Sequence, residues 1–358
     1  MSSRSPALAT VGEPLRRTRG GVTPAGWLGL LALSLLLALC VALMVGRYPV
    51  SAADLARFFT ATAGVGALPA DRYDLLYALV WEIRFPRMLA AVLIGASLAA
   101  SGAAYQAVFA NPLVSPGILG VLAGASFGAA LGMVVFDHWL AVQLSAVAGG
   151  LAAVAVGVGI ARLLGIRSVV MLVLGGIFSA GLFSGLLTLV KYVADPYQQL
   201  PAIVYWLMGS LGQADIGELA IYAPFLLLGV MGLVLLGRAL DALGMGDEQA
   251  LSLGVPVSAV RTAVIVCATL ASALTVALAG VIGWIGLLAP HIARLLVGPL
   301  NRFLIPASAL VGALFLLVAD LLARGLSDAE LPVGVVTELV GLPIFLLLLR
   351  NVRRGWVA

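Results

Sequence analysis

The sequence has 358 residues, of which 62% are hydrophobic and 10% are charged, and its formal net charge is +4 at pH 7. Soluble globular chains carry roughly 25% charged residues and about half apolar ones, so this chain cannot cover itself with polar surface and its expected solvent is lipid. The small positive excess, without a basic cluster, argues against nucleic acid as a partner.

The first 26 residues are polar and basic, and the apolar run 27–46 follows them. A run of this length can cross a bilayer and exceeds the core of a usual signal peptide. We therefore expect a retained first helix with a cytoplasmic tail over 1–26. The basic residues of this tail are Arg4, Arg16, Arg17 and Arg19.

Apolar runs recur along the rest of the chain, and each is long enough, or nearly so, for the roughly 17–25 residues that a crossing needs. Because they show no strand alternation, the fold class is an all-α integral membrane protein with about ten transmembrane helices in a compact bundle over 27–350. A short cytoplasmic tail is expected over 351–358. The predicted spans are 27–46, 87–107, 115–136, 140–162, 169–190, 218–237, 261–281, 285–298, 303–323 and 332–350.

If the chain starts in the cytoplasm and crosses the membrane ten times, most of the 20 lysines and arginines lie on the cytoplasmic side, as the positive-inside rule requires. Both termini are then cytoplasmic. Abundant glycine within the spans predicts close helix packing. Two glycine-rich spans, after Arg84 and after Arg261, run in opposite directions in this topology and predict an inverted repeat. The two cysteines, Cys40 and Cys267, are expected to be buried packing residues, not a disulfide or a metal site.

Two segments are too polar to be spans. One is the outer stretch 47–86, at the end of which Pro86 is expected in the first turn of the second span. The other is the inner stretch 238–260, which predicts short helices broken at Gly244, Gly246 and Gly254. Such a helix–turn–helix suits docking to another protein.

The chain lacks the residues of a nucleotide site. A P-loop needs a lysine between glycine and Ser or Thr, and the only lysine is Lys191, in LVKYVA. An ATPase that drives this protein would therefore be another subunit. No catalytic pair is visible, so an intramembrane enzyme is disfavoured, and no cofactor is expected.

Ionisable residues within the spans are few, which disfavours an ion-coupled secondary transporter. Asp320 lies four residues before Arg324 and is expected to form an ion pair on one helix face. Glu338 either lines a water-filled path or hydrogen-bonds to a neighbouring helix. His291 is expected to be a polar residue at a helix end near the bundle interior.

Arg84 and Arg87 flank the predicted outer start of the second span. Interfacial snorkelling and a cationic rim that steers an acidic partner both explain them.

Three long segments together resemble the FecCD-type permeases, a type II class of ATP-binding-cassette (ABC) importer that takes up iron siderophores, haem and cobalamin. They are RFPRMLAAVLIGASLAASGAAYQAVFANPLVSPGILGVLAGASFGAALG (84–132), VALAGVIGWIGLLAPHIARLLVG (276–298) and ELPVGVVTELVGLPIFLLLLR (330–350). Trp284 stands where the family usually has Phe.

The resemblance implies a homodimer with a path at its axis, lined chiefly by the fifth and tenth spans. It implies two cytoplasmic ATPase subunits, an extracytoplasmic binding protein and residence in the bacterial inner membrane. Arg84, Arg87 and Arg324 match positions that dock the binding protein, and Asn111, Pro112 and Leu113 match a turn interpreted as structural. The matches to the cytoplasmic coupling helices are Gly246, Asp247, Ala250, Leu253, Gly254 and Pro256.

The segment KYVADPYQQLPAIVYWLMGSLG (191–212) looks more like iron-chelate or molybdate-type members than haem or cobalamin members. The expected cargo is a ferric siderophore or related metal chelate. Haem, cobalamin and a molybdate-type oxyanion stay open as alternatives.

Overall fold

The computed structural model describes residues 22–46, 48–163, 169–326 and 329–356, with side chains up to residue 348. Most of the predicted N-terminal tail therefore lies outside the described residues. So do Arg47 and Arg167, and the side chains of the predicted C-terminal tail.

The described residues form helices, turns and loops, with no strand. Ten helices correspond one to one with the predicted spans. They are α1 (Pro24–Met44), α4 (Phe85–Val108), α5 (Val121–Val135), α6 (Trp139–Leu163), α7 (Val169–Val193), α9 (Ile216–Leu235), α12 (Val257–Ala279), α13 (Ile285–Val297), α14 (Asn301–Gly325) and α15 (Val333–Trp356). Seven are long and apolar enough to cross a membrane by themselves, and α5, α13 and the apolar part of α15 are shorter. The prediction of a membrane bundle of about ten helices is confirmed.

The remaining helices are short and lie between the spans. They are α2 (Ala52–Thr62), α3 (Ala70–Tyr77), α8 (Gln199–Leu207), α10 (Gly237–Leu243) and α11 (Asp247–Ser252).

The continuous helix that contains the second span begins earlier than predicted. Pro86 is the second residue of α4, as predicted, but α3, a π-helical segment (Ala78–Arg84) and α4 form one continuous run of 39 residues from Ala70 to Val108. Proline lacks an N–H and normally disrupts the preceding helical turn. The wider π turn, in which the Phe85 N–H donates to the Val80 carbonyl, lets the helix continue past it.

Helix α4 occupies the centre of the bundle. Buried residues make up 83% of the most apolar stretch of the α3–α4 run, against 11% for α1 and 22% for α7. Helices α12, α13 and α14 pack around α4, and α1 and α7 lie at the periphery. The exposed faces of the peripheral helices are apolar, as expected of surfaces that meet lipid or another subunit.

Glycines bring neighbouring helices into backbone contact. A Cβ atom on Gly102 of α4 would lie 1.8 Å from the carbonyl oxygen of Gly286 in α13, and one on Gly95 would lie 2.3 Å from that of Gly312 in α14. Neither site has room for any side chain. The interpretation of the glycines as close-packing residues is confirmed here.

The two cysteines are free thiols, but Cys40 is exposed on α1 and Cys267 is only partly buried. The expectation that both are buried is therefore wrong for Cys40. An apolar run predicts immersion in lipid, which does not require contact with the protein interior.

Candidate functional site

Five charged residues from three parts of the chain meet at one end of the bundle; we call Arg84, Arg87, Asp320, Arg324 and Glu330 the charge cluster. Arg87 of α4 donates from Nε to Asp320 Oδ1 of α14 at 2.7 Å and from Nη1 to Glu330 Oε2 at 2.9 Å. Glu330 lies just before α15. Gly212, between α8 and α9, also packs here, since a Cβ atom on it would lie 3.4 Å from Glu330 Oε2.

Arg324 of α14 completes the buried part of the cluster. Arg324 Nε lies 3.1 Å from Asp320 Oδ2, one helical turn away, which confirms the predicted ion pair. Asp320 itself is fully buried. An ionised carboxylate tolerates such burial only when it is paired, so Asp320 depends on both arginines.

The cluster keeps an excess of positive charge. Arg84 donates to the backbone carbonyls of Leu43 and Tyr48, and no carboxylate in the described part of the chain lies within ion-pair distance of it. Three arginines against two carboxylates leave a formal charge of +1. In addition, the Nη2 group of Arg324 is buried without a hydrogen-bond partner among the described residues.

The three arginines are gathered together but covered. Arg84, Arg87 and Arg324 are 3%, 6% and 7% exposed, whereas the Glu330 side chain is 36% exposed. They therefore do not form an open rim in this structure. Glu330 is the member of the cluster that a partner could reach first.

The stretch Asn111–Leu113 forms a tight turn after α4. The Leu113 N–H donates to Asn111 Oδ1 at 2.9 Å, and the preceding Ala110 has a φ of 46°. Asparagine favours such turns because its side chain can replace a backbone acceptor. This geometry agrees with the structural role predicted for the turn.

Two of the motif segments meet through a hydrogen bond that the sequence did not suggest. Arg294 of α13 donates from Nη2 to Gln106 Oε1 of α4 at 2.9 Å, and Gln106 is buried. Both residues belong to the quoted motifs, at G-x-x-x-Q and PH-x-x-R. Their place in these two motifs was the only feature of the sequence that could have pointed to the contact.

The 238–260 loop contains two short helices, α10 and α11, separated by a turn at residues 244–246, as predicted. Gly246 and Gly254 have φ values of 107° and 79°, a region that favours glycine. Asp247 holds Arg261 of α12 through two hydrogen bonds of 2.7 and 2.9 Å.

One face of α11 anchors the loop and another is free. Ala250 is fully buried, whereas Leu253 is 62% exposed. Met245 and Leu251 are also exposed, so the loop presents large apolar side chains beside a fixed ion pair.

Glu338 is exposed on α15 and forms no hydrogen bond or ion pair within the described residues. It lines a cavity of about 250 Å³ together with Lys191 at the end of α7 and apolar residues of α8. Among the described residues it makes no bond to a neighbouring helix, which was one of its two predicted roles, and the path-lining role stays a prediction. His291 is partly buried, with its ring edge-on to Phe345 at 5.5 Å, in agreement with a polar residue near the bundle interior. The predicted helix end is wrong, because His291 lies in the middle of α13.

Comparison with known proteins connects these features to one family. The FecCD transport family matches residues 34–351. The molybdate import system permease protein MolB of Haemophilus influenzae is 37% identical over 91% of this chain and 95% of its own length. A probable iron chelatin transport system permease of Helicobacter pylori is 41% identical over 78% of this chain and 84% of its own length.

A solved structure has the same fold. A metal-chelate type ABC transporter in an inward-facing conformation superposes with a TM-score of 0.81 at 34% identity, covering 90% of this chain and 98% of the other.

Proposed function

The chain belongs to the FecCD transport family and is the permease of an ABC importer, and from this premise we propose that it imports a ferric siderophore or a related metal chelate. The observation that carries the proposal is the family match over nearly the whole chain, joined to a ten-helix fold shared with a metal-chelate type transporter. The permease performs no bond chemistry, and ATP is hydrolysed by a separate subunit.

A molybdate-type oxyanion is the second candidate, because a relative that aligns over 95% of its length is a molybdate permease. The cavity lined by Lys191 and Glu338 does not decide between them. Its other walls are mostly apolar, which suits passage of cargo more than tight binding. Selectivity would then rest largely with the binding protein.

The cargo is tested by transport in proteoliposomes. The permease, its ATPase and its binding protein are reconstituted together, and ATP-dependent uptake of a radiolabelled ferric siderophore is compared with that of molybdate. Uptake of the chelate alone supports the first candidate, and uptake of molybdate alone supports the second. Uptake that needs an ion gradient and no ATPase would instead make the protein a secondary transporter.

We propose a homodimer with its path at the axis, assembled with two ATPase subunits and one binding protein in the bacterial inner membrane. The large apolar faces that α7 and α15 leave uncovered support this arrangement. They include Phe178 and Leu182 on α7 and Leu339 and Leu346 on α15. Both termini would be cytoplasmic, flanking a permease domain over 27–350.

The binding protein would dock over the charge cluster and present carboxylates to Arg84, Arg87 and Arg324. The net charge of +1 and the Arg324 Nη2 donor, which has no hydrogen-bond partner among the described residues, support this role. Because Glu330 already occupies Arg87, a carboxylate of the partner would have to compete with it. Docking would thereby disturb the segment that leads into α15.

This competition gives a test with two opposite outcomes. Glu330→Gln removes one of the two carboxylates that hold Arg87 and is expected to strengthen docking. Arg84→Gln removes a cation that has no carboxylate partner among the described residues and is expected to weaken docking. Affinity for the cognate binding protein is measured at low and high salt on folded, detergent-solubilised permease. If both variants bind like the unmodified protein at low salt, the charge cluster is not the docking site.

The 238–260 loop would couple the permease to the ATPase. Gly246, Asp247, Ala250, Leu253, Gly254 and Pro256 are the proposed coupling residues. Each nucleotide state of the ATPase must favour a different permease conformation for the motion to be transmitted. Leu253→Asp should weaken ATPase binding without harming the fold, since its side chain is already exposed. Tight binding of the ATPase to this variant would argue against the assignment.

A further inference from the structure

A second cavity, of about 200 Å³, lies apart from the one lined by Lys191 and Glu338. Its lining comes from α8, from the first turns of α6 and α9 and from the last turn of α12. Its polar and aromatic lining consists of Trp139, Tyr205, Trp206, Ser210, Gln213 and Glu218. We refer to it as the aromatic cavity.

Glu218 supplies the only charged group of this lining. Its carboxylate is oriented by a buried chain of hydrogen bonds. Tyr222 donates to Gln143 Oε1 at 2.9 Å, and Gln143 Nε2 donates to Glu218 Oε2 at 3.3 Å. Gln143 is 2% exposed, so the amide is held in place by its surroundings.

Apart from its place in the first turn of α9, where a negative charge favours the helix dipole, the carboxylate has no further structural role in the described part of the chain. Asp215 already caps α9 by accepting from the backbone N–H groups of Gly217 and Glu218. No lysine or arginine lies within ion-pair distance of Glu218 among the described residues. Arg87, which lies beside Gly212, is paired with Asp320 and Glu330.

We propose that the aromatic cavity binds an organic ammonium group. A cation between aromatic rings gains electrostatic attraction from their faces, and a carboxylate adds an ion pair. A hard metal ion would need more oxygen ligands than one carboxylate, a hydroxyl and an amide offer. Three aromatic rings beside one oriented carboxylate therefore favour an alkylammonium over a metal ion.

The ammonium could come from an amine-bearing lipid headgroup or from a soluble amine. Trp139 and Tyr205 are partly exposed, so the cavity is open to the surroundings of the bundle. Tryptophan and tyrosine are typical of the membrane–water boundary, where both sources are present. The chemistry of recognition is the same for either one.

The test uses tetramethylammonium as the ligand and the intact permease in lipid nanodiscs made of phosphatidylglycerol. Saturation-transfer NMR of the methyl protons measures its binding against sodium at equal ionic strength. Glu218→Gln and Tyr205→Leu are each expected to weaken binding about tenfold. The matched control is Glu248→Gln, which removes an exposed carboxylate on α11 and should leave binding unchanged.

A second set of nanodiscs contains phosphatidylethanolamine. A loss of the tetramethylammonium signal there identifies the lipid headgroup as the occupant, and an unchanged signal identifies a soluble amine. Equal binding by the unmodified protein and by both cavity variants, each shown to be folded by size-exclusion chromatography, overturns the proposal. Because transport is not measured, that result would leave the importer function standing.

Discussion

Replacement of Asp320 by Asn tests whether the charge cluster holds the helices together. Asp320 is fully buried and lies 2.7 Å from Arg87 and 3.1 Å from Arg324. The substitution keeps the shape but removes the charge, so two largely buried arginines lose their common counter-ion. Removing one partner of a buried ion pair costs about 3–5 kcal/mol. The unfolding equilibrium should therefore shift by about two to four powers of ten.

The assay is reversible unfolding in mixed micelles, with Glu330→Gln as the matched control. Glu330 binds the same arginine from a site that is 36% exposed, where solvent screens the charge, so its loss should cost about 1 kcal/mol or less. Adding Arg324→Gln to Asp320→Asn should recover part of the lost stability, because one uncompensated cation disappears. Equal unfolding curves for Asp320→Asn and Glu330→Gln would refute the reasoning.

Two further predictions concern packing and coupling. Gly102→Ala should destabilise the bundle by about 1–3 kcal/mol or more, since its Cβ would lie 1.8 Å from the Gly286 carbonyl oxygen. The control is Gly159→Ala, which has nothing within 4 Å of its Cβ and should unfold like the unmodified protein. Asp247→Ala breaks the partly exposed pair with Arg261, so it should leave thermal stability nearly unchanged while lowering cargo-stimulated ATP hydrolysis of the reconstituted transporter. Unchanged hydrolysis would mean that this pair does not orient α11 for coupling.

The spans could be predicted because lipid imposes a strong local rule. A crossing helix needs an uninterrupted apolar run, and such runs are visible without knowledge of the fold. The same rule placed the start of the second span at residue 87, whereas the continuous helix begins at Ala70. Asp71, Asp74 and Glu82 lower the hydropathy of this stretch, but they do not prevent it from being helical.

The pairing of residues could not be predicted in the same way. Arg87 and Glu330 are 243 positions apart, and Arg294 and Gln106 are 188 apart. Hydropathy and spacing describe neighbours along one helix, such as Asp320 and Arg324. They contain no information on which helices pack side by side.

By itself the sequence determined that this chain is a membrane bundle without a P-loop, because composition decides the solvent and the only lysine, Lys191, stands outside any such motif. It also located the 238–260 loop, since glycine and polar residues interrupt the apolar pattern there. Tertiary packing alone decided that three arginines would be gathered and covered, and that Glu218 would line one cavity together with three aromatic residues. These outcomes depend on distances between remote segments, which arise only when the glycine-lined helix surfaces come into contact.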